Sequence, residues 1–185
     1  MLNLASLPLS EKVYLADKTL INATDLQIGD KILSLKITKD GINDISDILT
    51  KIIDADETVS NYEICEATVY SAQKYQQEDL LTLNNGVKIK KNQYIVVKDL
   101  SNNNLEFSIN NIEAIQNKHR NMLTSEINTC SINKDFSEDL SNLFKINKID
   151  SITNNVGLNW AYSIKIVGGH FYFTENFIVL AEVGR

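Results

Sequence analysis

The sequence is poor in the residues that punctuate, staple or ligate a chain: one proline, two cysteines, two histidines and seven glycines among 185 residues. Cys65 and Cys130 stand far apart, outside any CxxC, so a redox or zinc motif is excluded. The expectation is two free, buried thiols in a reducing compartment, and a disulfide only if the fold brings them together. His119 and His170 have no Cys or second His at ligand spacing, which argues against a metal site, and no cofactor motif is present. The formal charge is −6 with no basic stripe, so nucleic acid is not expected as a partner. Lys88, Lys90 and Lys91 form the densest basic patch and read as a solvated strand face. No apolar run approaches a membrane span, and Met1–Ser10 lacks the basic start of a signal peptide, so no membrane partner is expected either.

What remains is an ordinary globular composition, 43% hydrophobic and 23% charged, with no linker-like stretch. That implies a single domain over residues 1–185 with a real core. Strand signals dominate: Lys12–Ala16, Thr19–Ile21, the alternating Lys31–Ile37, Tyr62–Tyr75, Leu105–Ile109, Thr124–Ile132, Ile146–Ile152 and Leu158–Val167. Asp47–Asp54 is ambiguous, and its β-branched residues favour strand. Thr153–Asn155 reads as a turn. Asn111–Asn121 reads as a short helix. So does Asp135–Phe144, with Ser137 as cap and Glu138-Asp139 in its first turn. Asn22 or Thr24 could cap a single helical turn, Gly29 can take positive φ, and Asp25 and Asp30 are expected to tie the turn around it. The carboxylates Asp54, Asp56 and Glu57 read as a solvated face.

The closing stretch Tyr162–Glu182 reads as two strands joined by Gly168-Gly169. It has an ungapped echo: Leu80–Val97 lies over Ser163–Leu180 at one offset, with Gly86 on Gly169 and Tyr94–Val97 on Phe177–Leu180. This suggests an internal duplication and a pseudo-symmetric domain. The aromatics Trp160, Tyr162, Phe171, Tyr172, Phe173 and Phe177 are mostly core, but their density exceeds what one strand face hides, so some are expected to form a contact surface.

Three segments together resemble the hedgehog/intein (Hint) family: Val13–Asp17 followed by Asp25–Leu33, then Leu83–Val97, then Tyr162–Glu182 with its Gly-Gly-His and closing Asn-Phe-Ile-Val-Leu. The blocks fall in the family's order and span nearly the whole chain. The resemblance implies an all-β horseshoe with pseudo-two-fold symmetry and one or two short helices. It also assigns functional positions. The family's first-position nucleophile falls on Ser6, the Thr-x-x-His of its second block on Asn92–Ile95, and its closing His-Asn pair on Ala181-Glu182. Only Ser6 keeps a usable group, because Glu182 has no side-chain amide nitrogen with which to cyclise. A lost general acid alone forfeits about 10²–10⁴ in rate. Five residues precede Ser6 and three follow Glu182 in this sequence, so the joining of sizeable flanking segments is not expected.

The expectation is therefore a catalytically inactive, structural or interaction protein, not an enzyme. It resembles stand-alone members encoded by tailed phages, and its Ile-, Asn- and Lys-rich composition points to an AT-rich genome. That implies a virion component (neck, tail or baseplate) assembled in the host cytoplasm, with other virion subunits or a second copy as partner. The alternatives are residual self-processing before Ser6, and a β-rich binding module unrelated to Hint.

Overall fold

The computed structural model describes residues 6–77, 80–84, 86–98, 105–118, 128–133, 135–136, 142–155 and 159–182. Two long strands, β5 (Tyr62–Gln77) and β13 (Asn159–Val167), are the spine of a ten-stranded antiparallel sheet. Its order is β1 (Ser6–Pro8), β13, β5, β4 (Lys31–Ile37), β14 (Phe171–Phe173), β15 (Ile178–Leu180), β8 (Ile95–Val97), β10 (Asn128–Ile132) and β11 (Phe144–Lys148). A further strand, β9 (Ser108–Asn110), also pairs with β8. The pair β2 (Lys12–Tyr14) and β3 (Leu20–Asn22) stands apart. So does a small sheet of β12 (Ile152–Asn155), β6 (Leu80–Leu83) and β7 (Val87–Lys90).

The core lies where β4, β8, β14 and β15 meet, because these strands bury both faces. β14 and β15 are buried at every position, and β4 exposes only Lys31 and Lys36. The alternation read in Lys31–Ile37 as half-buried is thus overridden: Ser34 is fully buried, and its hydroxyl donates to the Phe171 carbonyl at 2.5 Å. Phe107 meets Tyr62, Phe144 and Phe171 with ring centroids 5.1–6.0 Å apart, in the tilted and edge-on geometries aromatic rings prefer. Phe171, Tyr172, Phe173 and Phe177 are all core, so the expected aromatic surplus shrinks to Trp160, which is 48% exposed beneath the Lys74 ammonium at 4.5 Å. Both cysteines are free.

The closing stretch is not a hairpin at Gly168-Gly169. β13 and β14 are separated in the sheet by β5 and β4, and the Gly pair carries the chain across them. The tight hairpin is β14–β15, closed by Thr174, whose Oγ1 accepts the Phe177 N–H at 2.9 Å. The Leu80–Lys90 echo does form a hairpin, β6–β7. The two copies therefore differ in their partners. They do meet at β8 and β15, which pair antiparallel through Ile95 and Val179, as copies about a two-fold axis would.

Asp47–Asp54 is helical, against the strand reading. α1 (Ile45–Ile48) runs on into a wider π-type turn, Leu49–Ile53. Asp44 and Asp47 form a reciprocal capping box, with the Asp47 N–H 2.9 Å from the Asp44 carboxylate. Ile45, Ile48 and Ile52 recur at helical spacing on the buried side. A cap worth about 1 kcal/mol and three buried isoleucines outweigh a β propensity of similar size. The predicted turn at Thr153–Asn155 is strand β12, paired with β6. α2 (Ile112–Lys118) matches its expectation, whereas Ser137–Leu140 and His119 lie outside the described residues. Gly29 takes φ +97°, and the Asp30 carboxylate accepts the Gln27 N–H at 2.9 Å. Asp25 instead accepts from the Asn22 side chain at 3.3 Å, and Asn22 makes no cap to the backbone.

Candidate functional site

The described ends of the chain meet on β13. β1 lies antiparallel to it with Ser6 opposite Ser163. The Ser163 hydroxyl donates to Glu182 Oε2 at 2.5 Å, and Glu182 is only 6% exposed. Two residues along the same strand, Lys165 places its ammonium 3.9 Å from Glu182 Oε1. Glu182 is held by the backbone just before it, where the Ala181 N–H donates to the His170 carbonyl at 2.9 Å.

The second-block segment packs on the same end. The Leu180 N–H donates to the Tyr94 carbonyl at 3.0 Å, and the Gln93 side-chain amide donates to the Leu180 carbonyl at 3.3 Å. Lys90, at the end of β7, is buried and within electrostatic reach of Glu182. Burial pushes its amine below the usual lysine range, and the Glu182 charge opposes that shift. The solvated-face reading of Lys90 is thus corrected: the β6–β7 hairpin buries it, and the Glu182 charge offsets part of that burial.

Of the five family positions, the fold brings the Ser6 backbone and Glu182 together around Ser163, with Ala181 buried beside them. Ile95 is fully buried and paired with Val179, as a core strand residue would be. Asn92 buries its amide oxygen without a hydrogen-bond partner among the described residues. Three residues at this centre escaped the sequence reading: Ser163, Lys165 and Lys90. Alternation along Tyr162–Val167 puts Ser163 and Lys165 on one face, but no local pattern ties either to Glu182, nineteen positions from Ser163.

His170 does not join this centre and sits at the bend after Gly169. It is buried, with Nδ1 accepting the Ile37 N–H at 3.0 Å and Nε2 3.4 Å from the Asn43 carbonyl. An accepting Nδ1 fixes the neutral ring with its proton on Nε2. Burial lowers its pKa, as does the nearby Lys36 charge. Chemically, then, the Glu182 centre offers a carboxylate, a hydroxyl and two ammonium groups, with no imidazole among its described members. No group of three His, Cys, Asp or Glu side chains poised for a metal occurs among the described residues.

This architecture aligns along nearly its whole length with solved inteins. The bacterial intein-like domain from Clostridium thermocellum superposes with a TM-score of 0.57, covering 96% of this chain and 99% of that one at 12% identity. The DnaB intein from Synechocystis sp. PCC 6803 gives 0.58, with 97% and 99% covered at 14% identity. The TvoVMA intein gives 0.60, with 98% and 100% covered at 11% identity. The chain has the Hint fold. No family model matches the sequence, and no curated protein sequence matches it significantly.

Proposed function

We propose that this Hint fold serves as a structural or interaction module without protein-processing activity. The observation that carries the reading is the Glu182 carboxylate, engaged by Ser163 and Lys165 where the family resemblance places a cyclising asparagine. An ionised carboxylate only accepts hydrogen bonds and has no nitrogen to attack a carbonyl. The second block supports the same reading, because Ile95 occupies a sealed core position with no acid to protonate a leaving amine. The partner class is another protein subunit. The resemblance to stand-alone phage-encoded members and the Ile/Asn/Lys-rich composition favour a virion component of the neck, tail or baseplate. The exposed Trp160 and Val167, both on β13, are the large apolar groups nearest this centre in sequence and suit such a contact.

A second reading, cleavage before Ser6, draws on the register that sets Ser6 opposite Ser163 beside Glu182. Intact-mass measurement of the purified chain separates the two. An unchanged mass after prolonged incubation is expected. Loss of the residues before Ser6, abolished in Ser6→Ala, would establish processing instead. The virion assignment is tested by mass spectrometry of purified particles, where its absence would remove that assignment.

A further inference from the structure

Away from the Glu182 centre, a cleft of about 540 Å³ opens between β4, the end of β13 and the segment entering α1. Its size falls in the range of small-ligand sites. Tyr70, Lys36, His170, Asn43, Ile45 and Ile166 supply most of its lining chemistry.

The cleft is shaped by specific backbone features. The β5–β13 register shifts between Lys165 and Ile166, a bulge that re-aims the strand end. Gly168 follows with φ +105°, a conformation side chains disfavour. At Gly169 a Cβ would fall 1.8 Å from the Ser34 hydroxyl, so this stretch of the wall is bare backbone by necessity.

Its polar groups are donors in search of an acceptor. Tyr70 lines the cleft, and its hydroxyl is buried with no hydrogen-bond partner among the described residues. Leaving a buried hydroxyl unpaired is costly, and such groups call for an explanation. The His170 ring is held with its proton on Nε2, and the 3.4 Å separation from the Asn43 carbonyl leaves that donor under-used. Lys36 is exposed, lines the cleft, and forms no ion pair among the described residues. The one lining carboxylate, Asp44, is committed to capping the Asp47 N–H.

The charge count narrows the ligand. The lining carries one ammonium, Lys36, and one carboxylate, Asp44, beside a neutral imidazole and a phenol, so a ligand of no more than one negative charge suits it. A dianion such as phosphate would face one cation only, with the Asp44 and Asp47 carboxylates close by. Ile45, Ile166 and Val167 line the remainder and suit an aliphatic substituent.

We propose that this cleft binds a monoanionic carboxylate carrying an aliphatic group, with Lys36 contacting the carboxylate, the Tyr70 side chain shifting so that its buried hydroxyl also reaches it, and Ile45 and Ile166 contacting the aliphatic group. The same chemistry is offered by a free branched short-chain acid and by the C-terminal residue of a peptide. This site stands whether or not the chain processes protein, because it shares no residue with the Glu182 centre.

The test is a titration of the ¹⁵N-labelled chain followed by backbone amide shifts, using acetyl-Gly-Val with a free carboxylate, the same peptide as its C-terminal amide, and isovalerate. The carboxylate probes are expected to shift Ile166, Gly168 and Gly169, and the amide is not. If the peptide acid binds more tightly, the source is a peptide terminus; if isovalerate equals or exceeds it, the source is a free acid. Lys36→Met, a surface change, is expected to weaken the acids about tenfold, near the value of one charge-assisted contact. Tyr70→Phe is expected to weaken them while raising the melting temperature of the free chain. Equal shifts from acid and amide, shifts mapping elsewhere, or affinities unchanged in Lys36→Met and Tyr70→Phe would overturn the proposal.

Discussion

Ser163 and Glu182 are joined by a buried hydrogen bond of 2.5 Å that ties β13 to the segment after β15. A hydrogen bond to a buried charge is worth about 1.5–3 kcal/mol net. Ser163→Ala should lose that amount, read as a lower urea midpoint at unchanged slope. A loss under about 0.5 kcal/mol would mean that Glu182 is satisfied without the Ser163 hydroxyl.

Gly169 cannot carry a side chain. Its Cβ would sit 1.8 Å from Ser34 Oγ and 2.8 Å from Ser34 Cβ, and Ser34 is fully buried. Gly169→Ala should therefore cost about 2–4 kcal/mol through overpacking. Gly86, the matching residue of the first copy, has nothing within 4 Å, so Gly86→Ala should stay within about 1 kcal/mol of the parent. Comparable losses in both variants would contradict the asymmetry between the copies.

Two buried groups give opposite pH slopes. Burial lowers the His170 pKa below 6.5, so the fold holds fewer protons there than the unfolded chain does. Stability from this group is full above 6.5 and is lost as pH falls through the window below it. His170→Asn keeps an acceptor for the Ile37 N–H and should flatten that slope. Burial raises the Glu11 pKa above 4.5, despite its bonds from Asn176 at 3.0 and 3.2 Å. Its contribution is greatest below 4.5 and falls as pH rises through the folded value. The stability of Glu11→Gln relative to the parent should therefore rise from acid to neutral pH. Urea titrations across that range check both, and parallel curves for parent and variants would refute them.

The Tyr70 hydroxyl is buried without a hydrogen-bond partner among the described residues. Tyr70→Phe should raise stability by about 1 kcal/mol, because burying such a group uncompensated costs about 1–3 kcal/mol. A destabilised variant would show that the hydroxyl has a bound solvent partner.

Local pattern carried much of the architecture. Alternation and turn residues marked β2, β3, β5, β10 and β13, and the Gly29–Asp30 turn followed from glycine's access to positive φ and aspartate's short reach to the backbone. The 83-residue echo located the two strands, β8 and β15, that meet about the pseudo-dyad. Local pattern failed at Ile45–Ile53, where a capping box and a buried isoleucine stripe overrode β-branched propensity. It also failed at Gly168-Gly169, where the same strand–Gly–strand pattern can close a hairpin or cross two strands. That choice depends on which strands lie between, which no local window contains.

The sequence by itself determined the strand-rich class, since strand signals follow from residue identity and period, whereas the free state of the two thiols depended on the fold. The tertiary structure decided which side chains share a site. Ser163, Lys165, Lys90 and Glu182 come together because tertiary packing sets β13, the end of β7 and the segment after β15 side by side. His170 was turned away from them by the Ile37 N–H on β4, a long-range hydrogen bond that leaves no trace in neighbouring residues.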